Sequence, residues 1–136
     1  MTTLKTENPA YHRAYQRARR YYDYRSMVDA TVTVRMIRAL RRIGYTNVLI
    51  AEGCGLSHPN IIGNLANDTN TGPRERVFRD TADAVADFYW RHHNKPRLDF
   101  HGRRTATFAA KRGWASPWSW DDITDLSEQP KGVVKA

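Results

Sequence analysis

Apolar residues recur at helical spacing along most of the chain, and each recurrence predicts one element. Asn8-Pro9 is a helix start signal, a capping side chain followed by proline in the first turn. Behind it Tyr11, Tyr15, Ala18 and Tyr22 form one stripe, with Arg13, Arg17 and Arg20 on nearly the opposite face. Residues 9–24 are therefore expected as a basic amphipathic helix. A second helix is expected from Thr31 or Thr33, either of which can cap it, to Gly44 just beyond its end. At about 100° per residue, Met36, Ile37, Ala39, Leu40 and Ile43 fill one arc and Arg35, Arg38, Arg41 and Arg42 the other.

Thr46 can cap a third, short helix through Cys54, which Gly55 interrupts. Ser57 is expected to cap a fourth, with Pro59 tolerated in its first turn. Ile61, Ile62 and Leu65 form its inward stripe, and Asn60, Gly63, Asn64 and Asn67 point the other way. Residues 67–73 form a polar, turn-rich loop. A fifth helix starts at Asp80 and runs through Trp90 on the stripe Phe78, Ala82, Val85, Ala86 and Tyr89, and Asn94-Lys95-Pro96 ends it. A last helix spans residues 103–112, closed by Gly113. Trp114, Pro117, Trp118 and Trp120 follow as a non-helical strap, and disorder is expected after Leu126.

No strand pattern and no internal repeat stands out. The expected fold is all-α, a helix-turn-helix core of five to six helices with the basic N-terminal helix and the Trp-rich C-terminal strap. The expected divisions are a basic helix or arm at 1–27, a helix-turn-helix domain at 28–100, the last helix and strap at 101–126, and a flexible tail at 127–136.

The third and fourth helices carry the spacing of a helix-turn-helix. Ala51 is small where two helices approach, Gly55 supplies the left-handed turn residue four positions on, and Leu56 and Ile61 are apolar toward the supporting helix. Asn64 stands where the motif usually has an apolar residue, and Ile62 with Leu65 take over that packing. The alternative is a helical hairpin that merely packs.

Charge decides how this motif is read. The 136 residues carry 22 Lys and Arg against 14 Asp and Glu, net +8, with a pI near 10.0. A chain this basic seeks polyanions or an acidic membrane surface. No apolar run approaches the about 20 residues of a membrane span, and the first eight residues hold no apolar signal segment. Transmembrane, secreted and disulfide-framed classes are therefore not expected, and the single Cys54 fits a reducing cytoplasm. Residues 1–44 carry +7, 45–73 carry −2 with no Lys or Arg, 74–112 carry +5 and 113–136 carry −2.

Two basic blocks thus flank a neutral motif. A recognition helix without Lys or Arg reads bases with Ser, Asn and His, so Ser57, His58, Asn60, Gly63, Asn64 and Asn67 are the candidate base-reading positions. Affinity must then come from phosphate contacts, for which Arg13, Arg17, Arg20, Arg35, Arg38, Arg42, Arg74 and Arg76 are the candidates. The N-terminal helix either faces the DNA backbone or docks on a second copy, so a homodimer stays open.

Several residues also match a known group. Val28-Asp29-Ala30-Thr31, Arg38-Ala39-Leu40, Gly44, Gly55-Leu56-Ser57, Arg112-Gly113-Trp114-Ala115, Pro117 and Trp120-Asp121-Asp122-Ile123 resemble the opening, turn and closing motifs of helix-turn-helix proteins common in actinobacteria and their phages. The arginine-rich stretch from Tyr11-His12-Arg13 to Arg25 is similar too, so the resemblance covers about Tyr11 to Asp125. It implies a DNA-binding regulator of the phage or prophage repressor type, without catalytic activity.

Other signals are weaker. His92, His93 and His101 lack a metal-ligand spacing with Cys54, and Asp121-Asp122 has no surrounding His, Ser or glycine loop for catalysis. No metal or cofactor is expected. The tryptophans suit packing better than base stacking in a tail of net −2. The reading is a sequence-specific binder of double-stranded DNA. A protein-interaction module and a DNA-bending recombination factor are the competing readings.

Overall fold

Six short elements, all drawn from residues 26–99, and one later helix build a single core. The computed structural model describes residues 26–66 and 74–132 together with Ala10 and Arg13. Most of the expected N-terminal helix, including Arg17 and Arg20, and the loop with Asn67 lie outside the described residues. The order is β1 (Met27–Asp29), α1 (Thr31–Arg42), α2 (Asn47–Cys54), α3 (Asn60–Ala66), β2 (Arg76–Phe78), α4 (Arg79–His92) and α5 (Phe100–Lys111), then a 3-10 turn at Pro117–Ser119.

The helical expectation holds for the bulk of the chain, with one correction. The described residues are not purely α: β1 and β2 pair antiparallel, with Met27 opposite Phe78, Val28 opposite Val77 and Asp29 opposite Arg76. The ladder is continued by Ala30 N–H to Glu75 O (3.0 Å) and Arg79 N–H to Ser26 O (2.8 Å). Only Val77 of β2 is buried. Three residues are too few for a period-two pattern to register, and each strand's partner lies far away in the chain. The pairing clamps the start of α1 to the start of α4.

α1 is the central helix and packs on α3, α4, α5 and the 3-10 turn. Its apolar arc is buried as expected, Met36, Ile37, Ala39 and Leu40 together with Ile43 beyond its end. Ile50, Ile62, Val85 and Tyr89, from α2, α3 and α4, belong to the same core. Neither threonine caps α1. Ala30 takes the cap position while the Asp29 carboxylate accepts from Thr31 N–H (2.8 Å). Thr33 is buried within the helix.

Two other boundaries move for local reasons. α3 begins at Asn60 rather than at a Ser57 cap. His58 Nδ1 accepts from Asn60 N–H (3.0 Å), and Pro59 O accepts from Ile62 and Gly63 N–H (both 3.1 Å), so the proline precedes the helix. α5 starts three residues before the expected Arg103, because the Asp99 carboxylate caps it through Gly102 N–H (2.9 Å).

The strap folds back over α1. Trp114, Pro117 and Ile123 are buried. The expected flexible tail is tied down over its described part. The Glu128 carboxylate accepts from Asp121 and Asp122 N–H (2.6 and 3.1 Å), and Lys131 N–H donates to Ser119 O (2.9 Å). Among the described residues no helix is long and apolar enough to cross a membrane.

Candidate nucleic-acid interface

α2 and α3 owe their relation to four residues. The Thr46 hydroxyl accepts from Leu49 N–H (3.2 Å) and starts α2. Gly55 ends it in the left-handed region (φ 72°), where any other L side chain is strained, and Leu56 N–H returns to Ala51 O (2.9 Å). Ala51 is buried. Gly53 lies against Phe88 of α4 so closely that a Cβ there would sit 2.1 Å from Cε2. Two helices therefore leave the five-residue connection 55–59 with their apolar sides turned toward α1 and α4.

α3 sorts its residues by face. Ile62, Leu65 and Ala66 are buried, and so is Gly63, which corrects its place among the candidate base-reading residues: its backbone is enclosed and it has no side chain to extend. Ser57, His58, Asn60 and Asn64 are exposed. Asn64 shares a cleft of about 240 Å³ with Arg74, Arg76 and Phe78. Arg74 and Arg76 are both exposed, although one Arg76 Nη2 is committed to Met27 O (2.8 Å). Asn64 and two arginines thus share one surface. Arg13 is exposed as well.

The arginine arc of α1 does something else, and this corrects part of the phosphate set. Arg35 Nη1 donates to Ile123 O (3.2 Å) and Asp125 O (2.8 Å), and Nη2 donates to Leu126 O (3.4 Å) and Glu128 O (3.2 Å). Its guanidinium also stacks on Trp120 at 4.3 Å. Arg38 Nε donates to Ala66 O (3.1 Å), and its guanidinium lies 5.2 Å from the Trp114 ring. Arg41 is only 7% exposed and donates to Asn47 Oδ1 (2.8 Å). Arg42 is half-buried beside Trp114, Ala115 and Ser116. Arg35 and Arg38 therefore hold the strap and the end of α3 rather than face outward. A charged arc looks solvent-facing in a helical projection, because a projection does not contain the carbonyls and rings that cover it. The hint in the sequence was the strap itself, aromatic and net negative.

Reasoning from the motif missed the cations of α5, where Arg103, Arg104 and Lys111 are exposed. The Cys54 thiol is pushed up to about 11 by burial, which leaves little thiolate at neutral pH. His92 is shifted below the usual histidine range, by burial first and then by Arg91 and Lys95. Among the described residues no three His, Cys, Asp or Glu gather as a metal site. Comparison with protein-family models, with curated proteins and with solved structures finds no match.

Proposed function

We propose that this chain is a helix-turn-helix regulator that binds duplex DNA sequence-specifically, with α3 presented to the major groove. The observation that carries the reading is the exposed polar edge of α3, Asn60 and Asn64, with Arg74 and Arg76 on the same surface as Asn64. Asparagine pairs bidentately with adenine, and arginines at the margin of the helix meet phosphates without dictating sequence. Net charge +8 supplies the long-range attraction that such contacts need. A phage-type repressor role rests on the resemblance in residues 28–31 and 112–123.

Selection of bound sequences from a random duplex library tests it. A recovered motif whose preference changes with Asn64→Ala is the expected result. Recovery of no motif, together with no mobility shift at low salt, overturns the reading.

A further inference from the structure

α5 is built the wrong way round for a core helix. It buries its small residues, Gly102 and Ala109, and leaves Phe100 66% and Phe108 47% exposed. Gly102 has to be small, since a Cβ there would lie 2.5 Å from Arg97 O. Phe100, Arg103, Arg104, Thr107, Phe108 and Lys111 line one shallow groove on the outer side. Residues 100–112 contain no Asp or Glu, and among the described residues Arg103, Arg104 and Lys111 have no ion-pair partner.

We propose that this groove binds an acidic amphipathic segment of a partner protein, its apolar side chains against Phe100 and Phe108 and its carboxylates on Arg103, Arg104 and Lys111. Burying a phenylalanine ring is favourable only against apolar atoms, and the cations between the rings call for negative charge on the same occupant. Duplex phosphates satisfy the cations and leave both rings in water. A bilayer favours helices that segregate rings from cations, whereas here Arg104 and Lys111 fall at angles between the two rings, and inserting the rings would carry guanidinium with them. A second copy docked symmetrically would set like charge against like charge, and the arginine-rich residues 1–25 are repelled for the same reason. The inference stands independently of the duplex-binding proposal.

The test uses the full chain and a fluorescent helical peptide of about four turns with Glu on one flank and Leu on the other. A control peptide keeps every Glu and replaces Leu by Ser. The Glu/Leu peptide is expected to bind about tenfold more tightly than the control, Phe100→Ser is expected to remove most of that difference, and Arg103→Glu is expected to weaken both peptides about tenfold. Both positions are exposed, and melting temperature checks each variant's fold. If one variant loses its fold, the other carries the test. Equal binding of the two peptides overturns the proposal. So does a Phe100→Ser effect seen on phosphatidylserine vesicles or on duplex DNA but not on the peptide.

Discussion

The guanidinium of Arg35 lies 4.3 Å from the centroid of Trp120, and the same group donates to four carbonyls between Ile123 and Glu128. One side chain of α1 thus gathers a segment some ninety positions later in the chain. A planar fork with several donors is suited to this, because the carbonyls of a non-helical strap are not held in a helical ladder.

Arg35→Ala is accordingly expected to lower unfolding free energy by about 2–3 kcal/mol, the scale of lost hydrogen bonds to a charged group. Arg35→Lys is expected to recover little, since an ammonium cannot span the four acceptors. Urea unfolding of the three proteins checks both statements. DNA affinity per folded molecule should not change.

Trp114 of the strap is buried, with Arg38, Arg41 and Arg112 at 5.2, 5.4 and 5.4 Å from its ring. Trp114→Ala is expected to cost about 3–5 kcal/mol. A thermal melt that does not move would show that the strap contributes nothing to the core.

The close approach of α2 and α4 gives a steric test. A methyl at Gly53 would stand 2.1 and 2.3 Å from two Phe88 ring atoms, while Phe88 is itself held edge-on to Tyr45 and against His92. Gly53→Ala should destabilise by about 1–3 kcal/mol. Combining it with Phe88→Leu should cost less than the two single changes added together.

Under the proposed duplex binding, Arg13, Arg17, Arg20, Arg42, Arg74 and Arg76 remain the candidate phosphate contacts. Log affinity is then expected to fall with log salt at a slope of about −5 if all six engage. Arg74→Ala should flatten the slope by about 0.9 and keep the preferred sequence, and Arg35→Ala should leave the slope unchanged. Asn60→Ala or Asn64→Ala should cost about 1–3 kcal/mol at individual base positions. An Asn variant with unaltered discrimination would reject α3 as the reading helix.

His92 packs on Phe88 and Tyr45, with ring centroids 4.3 and 5.4 Å away, and its pKa is lowered from 6.5, chiefly by burial. The folded state therefore favours the neutral ring. Stability is full above the unfolded pKa and declines as pH falls through the folded value. Melting temperature should drop between pH 7.5 and 5.5, and His92→Gln should reduce that drop; an identical drop in the variant would assign it to other groups.

Much of the scaffold was legible because its causes are local. Thr46 and Gly55 act within four residues of themselves, and the spacing of Met36, Ile37, Leu40 and Ile43 defines a buried arc whatever covers it. The α3 surface was legible to the same extent, with Asn60 and Asn64 exposed as their offsets implied. Gly63 was not, because its position on the helix borders the buried stripe and it has no side chain to mark a side. The α3 start was missed at Ser57 because His58 and Pro59 offer a competing turn.

By itself the sequence determined a helical, basic chain with a definite apolar stripe in its central helix, since periodicity and capping act over one or two turns. Only the tertiary structure decided what lies over the opposite arc. Burying Arg35, Arg38 and Arg41 even in part is unfavourable unless acceptors meet them, and those acceptors come from the strap, from the end of α3 and from Asn47. The β1–β2 pair likewise needed its distant partner, because three residues make no ladder alone. The phenylalanines of α5 face outward for the same kind of reason: Gly102 meets the backbone at Arg97, and no ring fits there.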